Sequence, residues 1–250
     1  MKRYVPEKID IDKLASDCRV NQIKGFHPDN MVWILSEITE KPTTSSGFVE
    51  IHSKRLQSFV HNYKDYLDPL DAIGIIECDK SFSYGLYSKT RGYRFTDEYS
   101  STIKGVDINY LPIVKKDAKE KAKKLKTCRD NKHLVKWFNP SLTVDHDQAV
   151  SYLSVYYAEK KKEQELLAEK AQIIRNTWYE DYSLKCLELQ WCECKDPYES
   201  YRMAFMSIDR IKEHEYQLST DSTVNRFYSA ITLMPSDFRN FLKYNGEELV

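Results

Sequence analysis

The stretch from Gly47 to Phe95 constrains the fold more than any other part of the chain. It opens on an alternating apolar run, Gly47-Phe48-Val49-Glu50-Ile51. Ser53 then offers a helix N-cap before Lys54-Arg55-Leu56-Gln57-Ser58-Phe59-Val60. A break at His61-Asn62 precedes a second helical segment, Tyr63 to Leu70. Ile73 to Cys78, a polar turn, Tyr84 to Tyr87 and Tyr93-Arg94-Phe95 follow as ribbon strands. Strand, helix, tight turn, helix and β-ribbon is the order of a winged helix-turn-helix. Upstream, His27-Pro28-Asp29-Asn30 is a turn and cap. Met31, Val32, Ile34, Leu35 and Ile38 then recur at helical spacing, so residues 29–40 are the first helix of that module. Residues 1–25 lack a strong period and read as a lead-in. Lys41 to Gly47 reads as a loop.

Two features of the module are awkward. Pro69 inside the second helix costs about 3 kcal/mol, so that helix is expected to end near Asp68, kink or restart. Gly74 suits the left-handed C-cap that follows. The second helix also carries Asp65, Asp68 and Asp71 beside Lys64. Three acids facing a polyanion would repel it, so either they turn away or the unit docks protein. The basic candidates for nucleic-acid contact lie beside that helix: Lys54 and Arg55 on the first, and Lys80, Lys89, Arg91 and Arg94 on the ribbon, interleaved with Tyr84, Tyr87 and Tyr93. Basic residues among aromatics suit single-strand stacking, and equally an ordinary strand packed on a core.

From Lys115 the composition changes. Lys115 to Lys126 holds seven lysines against two acids, in residues that favour helix. A solvated face is the plainer reading. Phosphate contact through Lys115, Lys116, Lys119, Lys123 and Lys124 is the sharper one. Asp145 opens a long helical stretch through Ile174, and Trp178–Trp191 and Tyr198–Leu218 read as further helices. Arg226 to Met234 reads as extended, and a helix from Pro235 or Ser236 is capped by Gly246. The expected class is therefore α+β, mainly α. A winged domain spans 1–110, a basic linker or helix 111–144, and an α-helical domain with a long helix 145–250. The last residues, Glu247 to Val250, look like the start of a strand, so more chain is expected to follow.

Composition narrows the function classes. Net charge is zero, with 38 basic and 38 acidic residues, so any nucleic-acid site must be a local patch. Only 7 glycines are present, and neither a P-loop nor a dinucleotide fingerprint occurs; no cofactor is expected. No apolar run approaches the roughly 18–20 residues of a membrane span. Met1 to Glu7 has no apolar core after its charges, so a cytoplasmic chain without a membrane partner is expected. Cys186, Cys192 and Cys194 with His214 are the one candidate zinc set. Their spacing lacks a second close pair, and ordinary thiols are the better reading. Asp145-His146-Asp147 resembles a ligand cluster, but acids at a helix start are favoured by the dipole, so capping is preferred. His52 and His61 read as caps or core edges. No nucleophilic triad is present.

Two segments resemble a known group. Gly74-Ile75-Ile76-Glu77-Cys78-Asp79, Tyr84-Gly85 and Ser88, and Tyr93-Arg94-Phe95 are similar to the winged region of uncharacterised replication-associated proteins of phages and mobile elements of Bacteroides-type bacteria. So is the segment from Asn225-Arg226-Phe227-Tyr228-Ser229 through Leu233-Met234-Pro235, Phe238-Arg239 and Leu242 to Asn245-Gly246-Glu247-Glu248-Leu249-Val250. The resemblance covers about residues 47–95 and 222–250. In those proteins the second segment leads into an acidic strand like the first metal-binding palm motif of family A-like polymerases. No such aspartate is present to carry over, so this chain alone is not expected to be an enzyme. The resemblance implies binding of DNA rather than RNA, other replication proteins as partners, and phosphate contact by Arg226 and Arg239. The alternatives are an interaction protein that docks through the winged unit and long helix, and, with less support, a metal-dependent enzyme complete in this chain.

Overall fold

The computed structural model describes residues 1–44, 46–79, 90–176, 198–221, 223 and 226–249. The fold is mixed α and β, about 53% helix with small antiparallel sheets. The chain divides into two compact units. The first comprises Met1–Val114 and Lys160–Glu199, the second Lys115–Glu159 and Ser200–Val250.

The first unit begins with β1 (Lys2–Pro6), α1 (Ile11–Ser16), α2 (Cys18–Asn21) and α3 (Pro28–Thr39). α3 is its central helix: every residue from Asn30 to Thr39 is buried. A helix buried on every side belongs inside a core, and the polar Ser36 and Thr39 on it donate back to Trp33 O and Leu35 O. Its start is fixed by three devices. Pro28 sits in the first turn, the His27 ring nitrogen accepts from Asp29 N–H, and Tyr66 Oη accepts from His27 N–H at 2.9 Å and Asn30 Nδ2 at 3.1 Å. Residues 1–25 are more than a lead-in. They supply β1, which pairs with β5 (Ile103–Asp107), and place Val5, Ile9, Val20 and Ile23 in the core.

The unit continues with β2 (Val49–Glu50), α4 (Ser53–Phe59), α5 (Tyr63–Ile73), β3 (Ile76–Cys78) and β4 (Gly92–Phe95). The three strands form one antiparallel sheet in the order β2-β4-β3. Tyr93 and Phe95 point into the core and Arg94 out, the period of two that a half-buried strand requires. His52, not Ser53, caps α4: its ring accepts from Lys54 N–H at 3.1 Å, and Ser53 is the first helical residue. Gly74 takes the left-handed conformation at φ +83° and closes α5.

Pro69 neither ends nor breaks α5, which runs unbroken from Tyr63 to Ile73. Burial of Tyr63, Tyr66, Leu67 and Leu70 on one face outweighs the missing N–H at position 69. The cost is still present. Pro69→Ala is therefore expected to raise stability by about 1–2 kcal/mol, less than the full helix-interior penalty because proline also restricts the unfolded chain. Urea denaturation with an unchanged m-value checks it.

The second unit holds Lys115–Thr127 of α6 (Leu111–Thr127), a 3-10 turn at Arg129–Asn131, α7 (Lys132–Val135), β6 (Leu142–Val144) and the first part of α8 (His146–Asn176). After these come α9 (Glu199–Lys212), β7 (Ser219–Thr220), β8 (Phe227–Tyr228), α10 (Ala230–Leu233), a 3-10 turn at Ser236–Phe241, β9 (Leu242–Tyr244) and β10 (Glu247–Glu248). Leu142, Ala149, Leu153, Tyr201, Ala204, Ile208, Ile211, Phe238 and Leu242 build its core. The Tyr216 hydroxyl, buried, donates to Asn139 O at 2.6 Å, which ties the loop before β6 to the segment after α9.

Two local expectations change here. The segment 226–234 is not extended throughout: α10 forms because Ser229 and Thr232 make a reciprocal capping box. No helix runs to Gly246. Asn245 (φ 53°) and Gly246 (φ 84°) are the two positive-φ residues of a tight hairpin joining β9 to β10, and β9 pairs on its other edge with β6. The helix expected over Trp178–Trp191 lies outside the described residues, as do Cys186, Cys192 and Cys194.

Candidate nucleic-acid interface

In the first unit the basic residues fall into two groups. Arg55 is engaged internally. Its Nε and Nη2 meet Glu37 Oε2 and Oε1 at 3.1 and 2.9 Å, and its guanidinium lies 4.5 Å from the Phe59 ring centroid and 5.5 Å from that of Trp33. Lys41 reaches the same carboxylate at 2.9 Å. Burial pushes the Glu37 carboxyl up, but the Arg55 hydrogen bonds and the charges of Lys41 and Arg55 more than offset this and leave it below its ordinary range. Arg94 pairs across the sheet with Glu77 at 2.6 Å and lies over Phe48. Arg91, half-buried, hydrogen-bonds the Tyr93 hydroxyl. Burial raises that hydroxyl far above the usual tyrosine range, with Cys78 adding and Arg91 opposing. Lys54 and Lys64 are exposed, and Lys64 shares the outer face of α5 with exposed Asp65, Asp68 and Asp71. Of these acids Asp71 is engaged with the start of the sheet: its Oδ1 accepts from Cys78 N–H at 3.3 Å. Lys80 and Lys89, with Tyr84 and Tyr87, lie outside the described residues.

The second unit is different. At 100° per residue, Lys115, Lys126, Lys119, Lys123 and Lys116 fall, in that order, within an arc of about 100° on α6. All five are exposed. The ridge they make is about 16 Å long at 1.5 Å per residue. The opposite side of α6 faces the body of the unit. There Asp117 and Cys128 are buried, and Lys121 bridges Asp117 at 3.2 Å and Glu215 at 2.9 Å. Lys124 is exposed but turned aside from the ridge, so of the five lysines read from sequence four lie together. Lys126 joins them, and a helical wheel of the run would have found it. Arg226 is exposed over the Tyr228 ring, and exposed Arg239 donates to Met234 O at 3.4 Å.

Asp145-His146-Asp147 has the geometry of a cap. Asp145 accepts from Gln148 N–H and pairs with Lys243 at 3.1 Å; the lysine first, then that N–H, hold its carboxyl below the ordinary range. Among the described residues no three His, Cys, Asp or Glu side chains are grouped to hold a metal ion, and no helix is long and apolar enough to cross a membrane. Comparison with known protein families, with curated proteins and with solved structures finds no match.

Proposed function

We propose that this chain binds nucleic acid through the lysine ridge of α6, as a DNA-binding component of the phage or mobile-element replication proteins that its sequence resembles. The ridge carries the reading: five exposed lysines on one arc, on a chain with no net charge. A duplex presents a phosphate charge about every 1.7 Å of axis, so a ridge about 16 Å long can meet several at once. The order β2-β4-β3, with α3, α4 and α5 around it, supports a winged helix-turn-helix in the first unit. Its second helix would be a poor groove probe, however, because its exposed side carries Asp65, Asp68 and Asp71 against the single cation Lys64.

That acidic face favours a second reading for the first unit alone, docking of a basic protein surface. The test of the nucleic-acid reading is a fluorescence anisotropy titration with labelled single-stranded and duplex oligonucleotides at 50 to 200 mM salt. Five phosphate contacts predict a log–log salt slope near −4 to −5 on duplex, a loss of several hundredfold over that range. No binding at the low-salt end would overturn the proposal.

A further inference from the structure

Resting on the reading of α6 as a phosphate-binding ridge, the geometry points to Trp137 and Tyr244 as a base-stacking platform for single-stranded nucleic acid. Trp137 is 53% exposed, which is unusual for the largest apolar side chain. Its ring meets Tyr244 edge-on, with centroids 5.6 Å apart at 66°. Asn139 Nδ2 donates to the Tyr244 hydroxyl at 3.0 Å and fixes that ring. The Lys136 ammonium lies 5.1 Å from the Trp137 centroid. An exposed cation–π contact is weaker than the stacking of a base on an indole, so a base can displace the ammonium, which then meets the adjoining phosphate.

The platform and the ridge belong to the same unit and flank the same strand pair. Thr127, at the end of α6, accepts from Thr220 N–H in β7, and Asn131 donates to Thr220 Oγ1. Phe138, next to Trp137, packs against Phe227 of β8, with centroids 5.7 Å apart. From Lys115 to Lys136 there are ten basic side chains and three acidic ones, and the basic residues continue past the ridge as Arg129, Lys132 and Lys136. This charge selects a polyanion as the occupant over an apolar protein surface. Glu247 lies cross-strand from Tyr244, so the phosphates of a bound strand are drawn to Lys136 at the Trp137 ring rather than to the Tyr244 end of the platform. A duplex hides its base faces, so the platform serves a single strand only.

The experiment compares the full chain with Trp137→Ala and Trp137→Phe, titrating oligo(dT) and a duplex of equal length at low salt. The expected result is a loss of about tenfold or more in oligo(dT) affinity for the alanine variant, near-parental binding for phenylalanine, and duplex binding unchanged in both. Oligo(dT) should also quench the part of the emission that Trp137→Phe removes. Equal oligo(dT) affinity in all three proteins, or equal losses on both nucleic acids, overturns the platform and leaves the ridge standing. If the parent chain binds neither nucleic acid, the ridge reading fails first and the platform with it. Trp137 is exposed, so matched thermal melts check that the fold is intact.

Discussion

Arg55→Ala is expected to lower stability by about 3 kcal/mol at neutral pH, because it leaves the Glu37 carboxylate buried without its main partner. The Glu37 side chain is only 4% exposed, so the carboxylate has little solvent contact of its own to set against loss of the bidentate pair. Lys41 remains, which keeps the effect at the lower end of what breaking a buried pair costs. The variant also loses the guanidinium packed on Trp33 and Phe59, whose rings stack 4.4 Å apart at 7°. Arg55→Lys keeps the charge but loses the fork and the stack, and should cost about half as much. The pH dependence gives the sign. In the parent the Glu37 pKa is depressed, so its contribution is present above the ordinary value of 4.5 and is lost as pH falls through the folded value. Without Arg55, burial dominates and pushes the carboxyl up; acidification then neutralises a charge the fold tolerates poorly. The stability gap between parent and variant should therefore narrow as pH falls from 7 toward 5. Urea titrations at the two pH values measure it. A gap that stays constant would mean the loss comes from packing rather than from the uncovered carboxylate.

What was legible in the sequence was local. α3 was visible in the spacing of Met31, Ile34, Leu35 and Ile38, and the end of α5 in Gly74, because each signal and its structure lie within a few residues. β1 was invisible for the opposite reason. Its partner, β5, lies about a hundred residues on, and no local period reports a pairing made at that distance. The stretch from Phe238 to Tyr244 shows how a true local signal can be outvoted. Its apolar spacing fits a helix, while the Asn245-Gly246 pair marks a hairpin, and the distant strand β6 decides the outcome. The candidate site divides the same way. A run of lysines can be read directly, and so can the arc they share once a helix is assumed. Whether an arginine has a carboxylate opposite it cannot be read. In the sequence Arg55 and Arg94 are indistinguishable from Lys119; the carboxylates that face them, Glu37 and Glu77, are brought there by the fold. Trp137 gave no signal either, because exposure of a tryptophan is a tertiary property.

Reversing Lys115, Lys119 and Lys123 together to glutamate is expected to weaken nucleic-acid binding at least a hundredfold at 50 mM salt, and to reduce the salt slope by about 3. The three lie on one side of α6 at intervals of one turn, so the change replaces most of the ridge with charge of the opposite sign. All three are exposed, and substitutions at such positions usually change stability by no more than about 0.5 kcal/mol, so lost binding would not be lost folding. The matching triple glutamine variant removes attraction without adding repulsion. It should retain more affinity than the glutamate variant but show nearly the same fall in slope, because the slope counts phosphates neutralised rather than charges added. The control is Lys54→Glu with Lys64→Glu in the first unit. Lys64 already shares its helix face with three acids, so this pair should change affinity by less than about threefold if the ridge is the contact. The opposite pattern, a normal slope in the α6 variants and a collapse in the Lys54 and Lys64 variant, would move the contact to the first unit in spite of the acids on α5. Salt slope is the deciding quantity because a protein-docking role for α6 could also be sensitive to charge reversal. Only a polyelectrolyte partner releases counterions in proportion to the number of lysines removed.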